Sequence, residues 1–194
     1  MTMPYTVLNY DYLNVEEGEK VMTDYLIVVD MQKDFVDGSL GTPEAVAIVP
    51  AVKKRIENAI DKGEKVIFTR DTHGDNYLQT QEGKNLPVPH CIQGSEGWEI
   101  IPELQKYTEK NFIFDKPTFG SRKLGEYLAE QEDIGNITLI GLCTDICVIT
   151  NALLIKAFLP ETPIRVEKAC CAGVTPESHE RALLAMESCQ IKVV

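Results

Sequence analysis

A three-layer α/β/α sandwich built on a mostly parallel six-stranded sheet is the fold that this 194-residue sequence predicts. Three observations lead to it. Short apolar runs of strand length recur along the chain and are continuous rather than alternating, the pattern of strands buried on both faces. Between them lie longer stretches with apolar residues at helical spacing, and strands separated by helices pair in parallel through right-handed crossovers. The third observation is chemical: Asp30, Asp71, Lys116 and Cys147 all fall at or just past the ends of such runs. In an open parallel sheet that is the edge where ligands bind.

The elements follow in order. Residues 1–24 are polar, with an acidic stretch at Glu16-Glu17-Gly18-Glu19, and read as an N-terminal arm ahead of one domain over 25–194. Tyr25–Val29 (YLIVV) is the first strand and ends at Asp30; a loop through Asp37-Gly38-Ser39 follows. Glu44–Lys62 carries apolar residues at helical spacing (Val46, Val49, Val52, Ile56, Ala59, Ile60) and is closed by Gly63. Lys65–Thr69 (KVIFT) is the second strand, with Arg70-Asp71-Thr72-His73 behind it. Gly74–Gly97 is long, contains Gly and Pro and has no periodicity, and a loop of that length in a compact domain is usually functional.

Pro102–Tyr107 predicts a short helix and Asn111–Phe114 (NFIF) the third strand, followed by Asp115-Lys116. Ser121–Gln131 is a helix through Leu124 and Leu128. Ile137–Gly141 is the fourth strand and Asp145–Phe158 its helix; Ile164–Glu167 is the fifth strand. Pro176–Ser188 is a helix with Pro in its first turn, and Ile191–Val194 is the terminal strand.

The stretch Ile137–Ala152 (ITLIGLCTDICVITNA) organises the rest. Gly141 breaks its apolar run, and Thr144-Asp145 is a helix-start signal. Cys147 is therefore expected in the first turn of a helix, where N–H groups and the positive dipole end favour thiolate. An inert core thiol is the alternative.

Composition excludes several classes of function. A net charge of −11 argues against nucleic acid and anionic membrane as partners. No apolar run approaches the ~20 residues that a membrane helix needs. Met1–Leu13 has no basic region followed by a long apolar core, so no secretory signal is expected. The six cysteines show neither disulfide-scaffold spacing nor a pair of CxxC knuckles, and reduced thiols in a cytoplasm are the simpler reading.

Two groupings carry chemistry. Asp30, at the end of a buried strand, is expected to have a raised pKa and to accept the proton of Cys147, with Lys116 as the nearby positive charge. The bland alternative is an Asp30–Lys116 ion pair beside a bystander thiol. Asp71, His73 and His90 place two of the three histidines and a carboxylate in one loop region, a set that suits Zn²⁺, Fe²⁺ or Mn²⁺. Glu82 is a candidate further ligand; the alternative is a group of polar loop residues without metal. His179 reads as a surface or packing residue, Trp98 as a pocket wall or packing group, and Cys91, Cys189 and Cys170-Cys171 as small apolar packing groups.

These residues resemble the isochorismatase-like cysteine hydrolases, and within them the nicotinamidases. The resemblance covers nearly everything from Tyr25 to Val194. Its pieces are VVDMQKDF (Val28–Phe35), RDTH (Arg70–His73), PVPHC (Pro87–Cys91), DKPTFGS (Asp115–Ser121) and GLCTDICV (Gly141–Val148). It implies an isochorismatase-like, Rossmann-like sheet and a catalytic triad of Asp30, Lys116 and Cys147. It implies a divalent metal, zinc first with iron or manganese as alternatives, on Asp71, His73 and His90, with Glu82 the candidate for an extra ligand. It also implies a non-proline cis peptide at Leu142–Cys143, aiming the N–H groups of Cys143 and Cys147 at one point as an oxyanion hole. The implied substrate is a small-molecule amide and the implied assembly a homo-oligomer. The expected reaction is hydrolysis of nicotinamide to nicotinate and ammonia through a thioester on Cys147. The alternatives are hydrolysis of another small amide, a carbamoyl compound or isochorismate, and a non-enzymatic redox or binding module using Cys143 and Cys147. Two positions depart from the family pattern. Cys143 stands where relatives often have alanine. Pro87 stands where some nicotinamidases have tryptophan, so Phe35 and Phe119 are the candidates for holding an aromatic ring.

Overall fold

A computed structural model describes residues 22–194. The expected arm, as far as residue 21, lies outside the described residues. The strands are β1 (Thr23–Val29), β2 (Lys65–Asp71), β3 (Phe112–Lys116), β4 (Ile134–Leu142), β5 (Ile164–Ala172) and β6 (Lys192–Val193). They form one six-stranded sheet in the order β3-β2-β1-β4-β5-β6, and every pairing is parallel.

The continuous apolar runs are explained by the two faces. Leu26 and Val28 of β1 point into one core with Phe68 and Ile140, while Tyr25, Ile27 and Val29 point into the other with Ile67 and Leu139. The first core is covered by α1 (Lys33–Val36), α2 (Pro43–Asp61) and α4 (Pro102–Thr108), which supply Val36, Val52, Ile56, Ala59 and Leu104. The second is covered by α5 (Arg122–Ala129), α6 (Ile149–Phe158) and α7 (Pro176–Ser188), which supply Leu124, Leu128, Ala152, Ile155, Leu183 and Met186. With both faces buried, no polar alternation survives in the central strands.

Helix starts follow local rules. Thr42 caps α2 by accepting the Ala45 N–H at 3.0 Å, and Pro43 occupies the first turn, where no N–H is needed. Thr175 and Ser178 form a reciprocal capping box at the start of α7.

Several boundaries differ from expectation. Gly141 bends the fourth strand without ending it: β4 continues to Leu142, and after a register shift Gly141 and Leu142 pair with Cys171 and Ala172. At Gly141 φ is +114°, and a Cβ there would lie 2.1 Å from the Val29 carbonyl oxygen, so only glycine lets β1 and β4 approach. β5 likewise runs on past Glu167 to Ala172. The loop expected over 74–97 contains a 3₁₀ turn at Tyr77–Gln79 and the short helix α3 (Gln81–Asn85), both too short for their periodicity to be read. The helix expected from Asp145 opens as a π turn over Thr144–Val148 before α6 begins. Thr144 and Asp145 do not cap it. Thr144 Oγ1 lies 2.8 Å from His179 Nδ1, and Asp145 Oδ1 accepts the Val174 N–H at 3.0 Å, tying the turn to α7 and the loop before it.

Candidate active site and metal centre

The carboxyl edge of the sheet concentrates the chemistry. The strand order reverses between β1 and β4, where an open α/β sheet leaves a crevice. Asp30 follows β1 directly, Cys147 lies in the turn after β4, and Asp71 and Lys116 are the last residues of β2 and β3. Asp71 and Lys116 are register partners.

Lys116 is the hub. Its Nζ lies 2.7 Å from Asp30 Oδ2, 3.2 Å from Asp71 Oδ1 and 3.4 Å from Cys147 Sγ. All four residues are buried. Burial alone would strip Lys116 of its charge, but Asp30, Cys147 and Asp71 around it outweigh that and raise its pKa well above the ordinary value. Asp30 moves the other way from a simple ion-paired carboxylate. Its burial is the largest influence and raises its pKa, with Lys116 only partly opposing. Asp30 also sits at φ 47°, in the left-handed region that side chains rarely adopt. Thr69 holds it there: Thr69 Oγ1 donates to Asp30 Oδ1 at 2.6 Å, and the Asp30 N–H meets the Thr69 carbonyl at 3.2 Å.

The expected stabilisation of thiolate is corrected by the geometry. Burial pushes the Cys147 thiol well above its ordinary pKa; Lys116 pulls it down, but Asp30 and Asp71 add to the rise. The sulfur is therefore a thiol at rest, with Lys116 Nζ 3.4 Å away. The Leu142–Cys143 peptide is cis.

Next to this group stands a second one. Oxygen and nitrogen donors of Asp71, His73, Glu82 and His90 all lie within 4.8 Å of one another. His73 Nε2 is 2.7 Å from Asp71 Oδ2 and 3.6 Å from Glu82 Oε1, and His90 Nε2 is 3.5 and 3.7 Å from the same two atoms. The approach of His73 Nε2 to Asp71 lacks hydrogen-bond geometry, and that buried nitrogen has no hydrogen-bond partner among the described residues. His90 Nδ1 lies 2.8 Å from the Val88 carbonyl, which can only accept, so Nδ1 carries a proton and Nε2 faces the carboxylates. Against the cost of its burial, Asp71 is held well below the ordinary carboxylate range by His73, His90 and Lys116. Glu82 is raised by burial first and by Asp71 second. Two imidazoles and two carboxylates converging on one point, with one nitrogen left unpaired, fit Zn²⁺, Fe²⁺ or Mn²⁺.

A cavity of about 270 Å³ opens onto both groups. Asp71, Glu82, His90, Cys143 and Cys147 reach it, and its remaining wall is apolar: Phe35, Leu40, Leu86, Phe119, Ile146 and Val174. Phe35 meets the His90 ring edge-on, with centroids 5.5 Å apart, while Phe119 is 41% exposed at the rim. Trp98 is not part of this wall. It stacks under the Arg70 guanidinium at 3.6 Å and donates to Thr72 Oγ1 at 2.8 Å, a packing role. Cys91, Cys170 and Cys171 are buried as expected, but Cys189 is exposed at the end of α7.

Three supporting residues were missed from sequence. Besides Thr69 there is Gln32, which accepts the Asp71 N–H at 2.7 Å and donates to the Asp71 carbonyl at 2.9 Å, clamping that backbone on both sides. Asn151 donates to the Cys147 carbonyl at 2.8 Å. Thr69 closes an apolar strand run, Gln32 lies two positions past the strand end at Asp30, and Asn151 stands four positions beyond Cys147 on the same helical face. Those positions are the signal that could have found them.

Comparison with known proteins shows the family and the fold. The family model described as isochorismatase domain matches residues 24–194. The isochorismatase family protein PncA of Bacillus subtilis is 31% identical over 173 residues, 84% of this chain and 93% of that protein. The nicotinamidase/pyrazinamidase of Mycobacterium tuberculosis is 26% identical over 183 residues, 87% of this chain and 97% of that protein. Among solved structures, the pyrazinamidase of Pyrococcus horikoshii in complex with zinc superposes with a TM-score of 0.75 at 30% identity, over 88% of this chain and 98% of that one.

Proposed function

The chain belongs to the isochorismatase family of hydrolases, and from that premise we propose that it is a metal-containing cysteine amidohydrolase converting nicotinamide to nicotinate and ammonia. One observation carries the reading: an acid, Asp30, and a thiol, Cys147, delivered from separate strand ends, lie within 3.4 Å of the Lys116 amine, and Cys147 opens onto the same cavity as Asp71, Glu82 and His90 of the donor quartet. The similarity to proteins named nicotinamidase and pyrazinamidase supports the substrate class.

The chemistry follows from the protonation states. Asp30 Oδ takes the proton of Cys147 as Sγ attacks the carboxamide carbon, so charge on sulfur never has to exist alone in a dry site. Lys116 Nζ balances the negative charge that passes between carboxylate and sulfur. Backbone N–H groups of Cys143 and Cys147 receive the oxyanion. Asp30 then returns the proton to the nitrogen as the C–N bond breaks and ammonia leaves. A water attacks the thioester, Asp30 accepts its proton, the C–S bond breaks, and the sulfur recovers its hydrogen. Asp71, His73, His90 and Glu82 would hold the metal, which when bound supplies a Lewis-acid contact for a ring heteroatom of the substrate. Phe35 and Phe119 bracket the ring.

Isochorismate fits less well. It carries carboxylates, and among the described residues no Arg or Lys lines the cavity to pair with them. The deciding experiment is ammonia release from nicotinamide by wild type and Cys147→Ala, with benzamide, a carbamoyl compound and isochorismate as comparison substrates. The reading requires turnover of nicotinamide by wild type and none by the variant; turnover surviving without the sulfur removes the thiol mechanism.

A further inference from the structure

Asn151 is completely buried in α6, a mostly apolar helix, one turn beyond Cys147. A carboxamide in such a place is tolerated only when its hydrogen bonds are made. Its Nδ2 donates to the Cys147 carbonyl at 2.8 Å and to the Phe119 carbonyl at 3.0 Å, and its Oδ1 accepts the Ser121 N–H at 2.9 Å. Both amide protons are used, and a flipped amide would set oxygen against two carbonyl oxygens, so the orientation is fixed. Phe119 and Ser121 are not on its helix. They belong to the loop that leaves β3 just after Lys116 and enters α5, where Ser121 is the N-cap. Phe119 forms part of the cavity wall. One side chain thus joins the backbone of the sulfur-bearing residue to the backbone of a wall residue. The packing beside it is close: a Cβ at Gly120 would lie 2.9 Å from Thr150 Cγ2.

We propose that Asn151 is a positioning residue, which keeps the Phe119 wall in register with Cys147 so that a ring lying on Phe119 presents its carboxamide to the sulfur. The inference rests on the amidohydrolase reading above. Asn151 acts through Phe119 and Cys147 and does not itself reach the cavity. Its loss frees the wall more than the nucleophile, because Cys147 is also held by its own helix and by Lys116.

Two variants separate this role from ordinary packing. Asn151→Thr keeps one hydroxyl donor for the carbonyl four residues back but is too short for the loop. Asn151→Asp keeps the shape and the acceptor for Ser121 while facing two carbonyl oxygens with a third oxygen. For Asn151→Thr, we expect kcat within about twofold of wild type and KM for nicotinamide raised about tenfold, the scale of one or two lost hydrogen bonds. Exchange of the Ser121 amide hydrogen, read by NMR, rises in both variants, and in Asn151→Asp kcat falls as well. An unchanged KM in Asn151→Thr, or Ser121 exchange as slow as in wild type, overturns the proposal. Wild-type protein inert toward nicotinamide overturns the amidohydrolase reading instead, and Ser121 exchange then decides alone whether the tie exists.

Discussion

Lys116 and Asp30 form a fully buried ion pair, with Nζ 2.7 Å from Oδ2 and neither side chain exposed to solvent. Such a pair costs desolvation energy on both sides, and its removal by halves is worse than its absence. Lys116→Met leaves Asp30 and Asp71 facing each other without a cation. We expect that variant to lose activity and about 3–5 kcal/mol of stability, the usual cost of stranding a buried charge. Urea denaturation measures the second; a loss under about 1 kcal/mol would mean that water reaches the pair.

The same burial sets a pH limb. Asp30 must be ionised to take the thiol proton, and its folded pKa is raised above the ordinary carboxylate value of 3.8. Activity is therefore present above the raised pKa and is lost as pH falls through it. The acid limb of kcat/KM should lie above the range of an exposed aspartate. For stability the sign is opposite: a raised carboxylate pKa means the folded state binds the proton more tightly, so this group favours folding at low pH and less so above its folded pKa. A kcat/KM profile flat down to pH 4 would remove Asp30 as the base.

Cys147 and Cys143 give a paired prediction. The Cys147 thiol is raised well above its ordinary pKa, and burial pushes Cys143 up to about 12. Neither is a thiolate at neutral pH in the resting enzyme. The ultraviolet thiolate absorbance of wild type and of Cys147→Ala should therefore match at pH 7. Cys143→Ala should keep activity within about threefold, since its backbone N–H survives the change and only the sulfur's contacts in the cavity wall are lost. Activity that depends on the Cys143 sulfur would favour a redox role for the pair.

How much of this was legible in the chain varied with the physics. The apolar runs of β1 and β2 and the spacing in α2 announced themselves because burial on both faces leaves no polar interruption. Asp30, Lys116 and Cys147 could be singled out because strand ends share one edge. What stayed hidden depended on tertiary partners. Thr144 and Asp145 carry a cap signal, yet His179 and Val174 claim them. The expected thiolate failed because local helix electrostatics were weighed without burial and without two nearby carboxylates. Gly141 looked like a stop, but a glycine at positive φ can bend a strand and let its ladder resume.

The donor quartet supplies the last prediction. Asp71 and the two histidines are buried, while Glu82, on the short helix α3, is only partly buried, its side chain 19% exposed. Gln32 clamps Asp71, and Val88 orients His90, but among the described residues the Glu82 carboxylate has no corresponding tie beyond the two imidazoles. His73 is held through its backbone, whose N–H donates to the Cys91 carbonyl at 3.0 Å and whose carbonyl accepts the Gln93 N–H at 2.9 Å. The three buried donors are therefore preorganised and Glu82 is adjustable. His73→Ala should abolish metal retention through gel filtration, since it removes one of the three fixed ligands. Glu82→Gln should retain metal but release it faster to a chelator, by roughly the 10- to 100-fold that loss of a peripheral support costs. Adding zinc back to chelator-treated wild type should raise the melting temperature, because an ion that binds only the folded chain stabilises it by mass action. Elemental analysis of the purified variants measures the first two outcomes. Equal metal loss in His73→Ala and Glu82→Gln would place Glu82 among the fixed ligands, and full retention by His73→Ala would remove this quartet as the metal site.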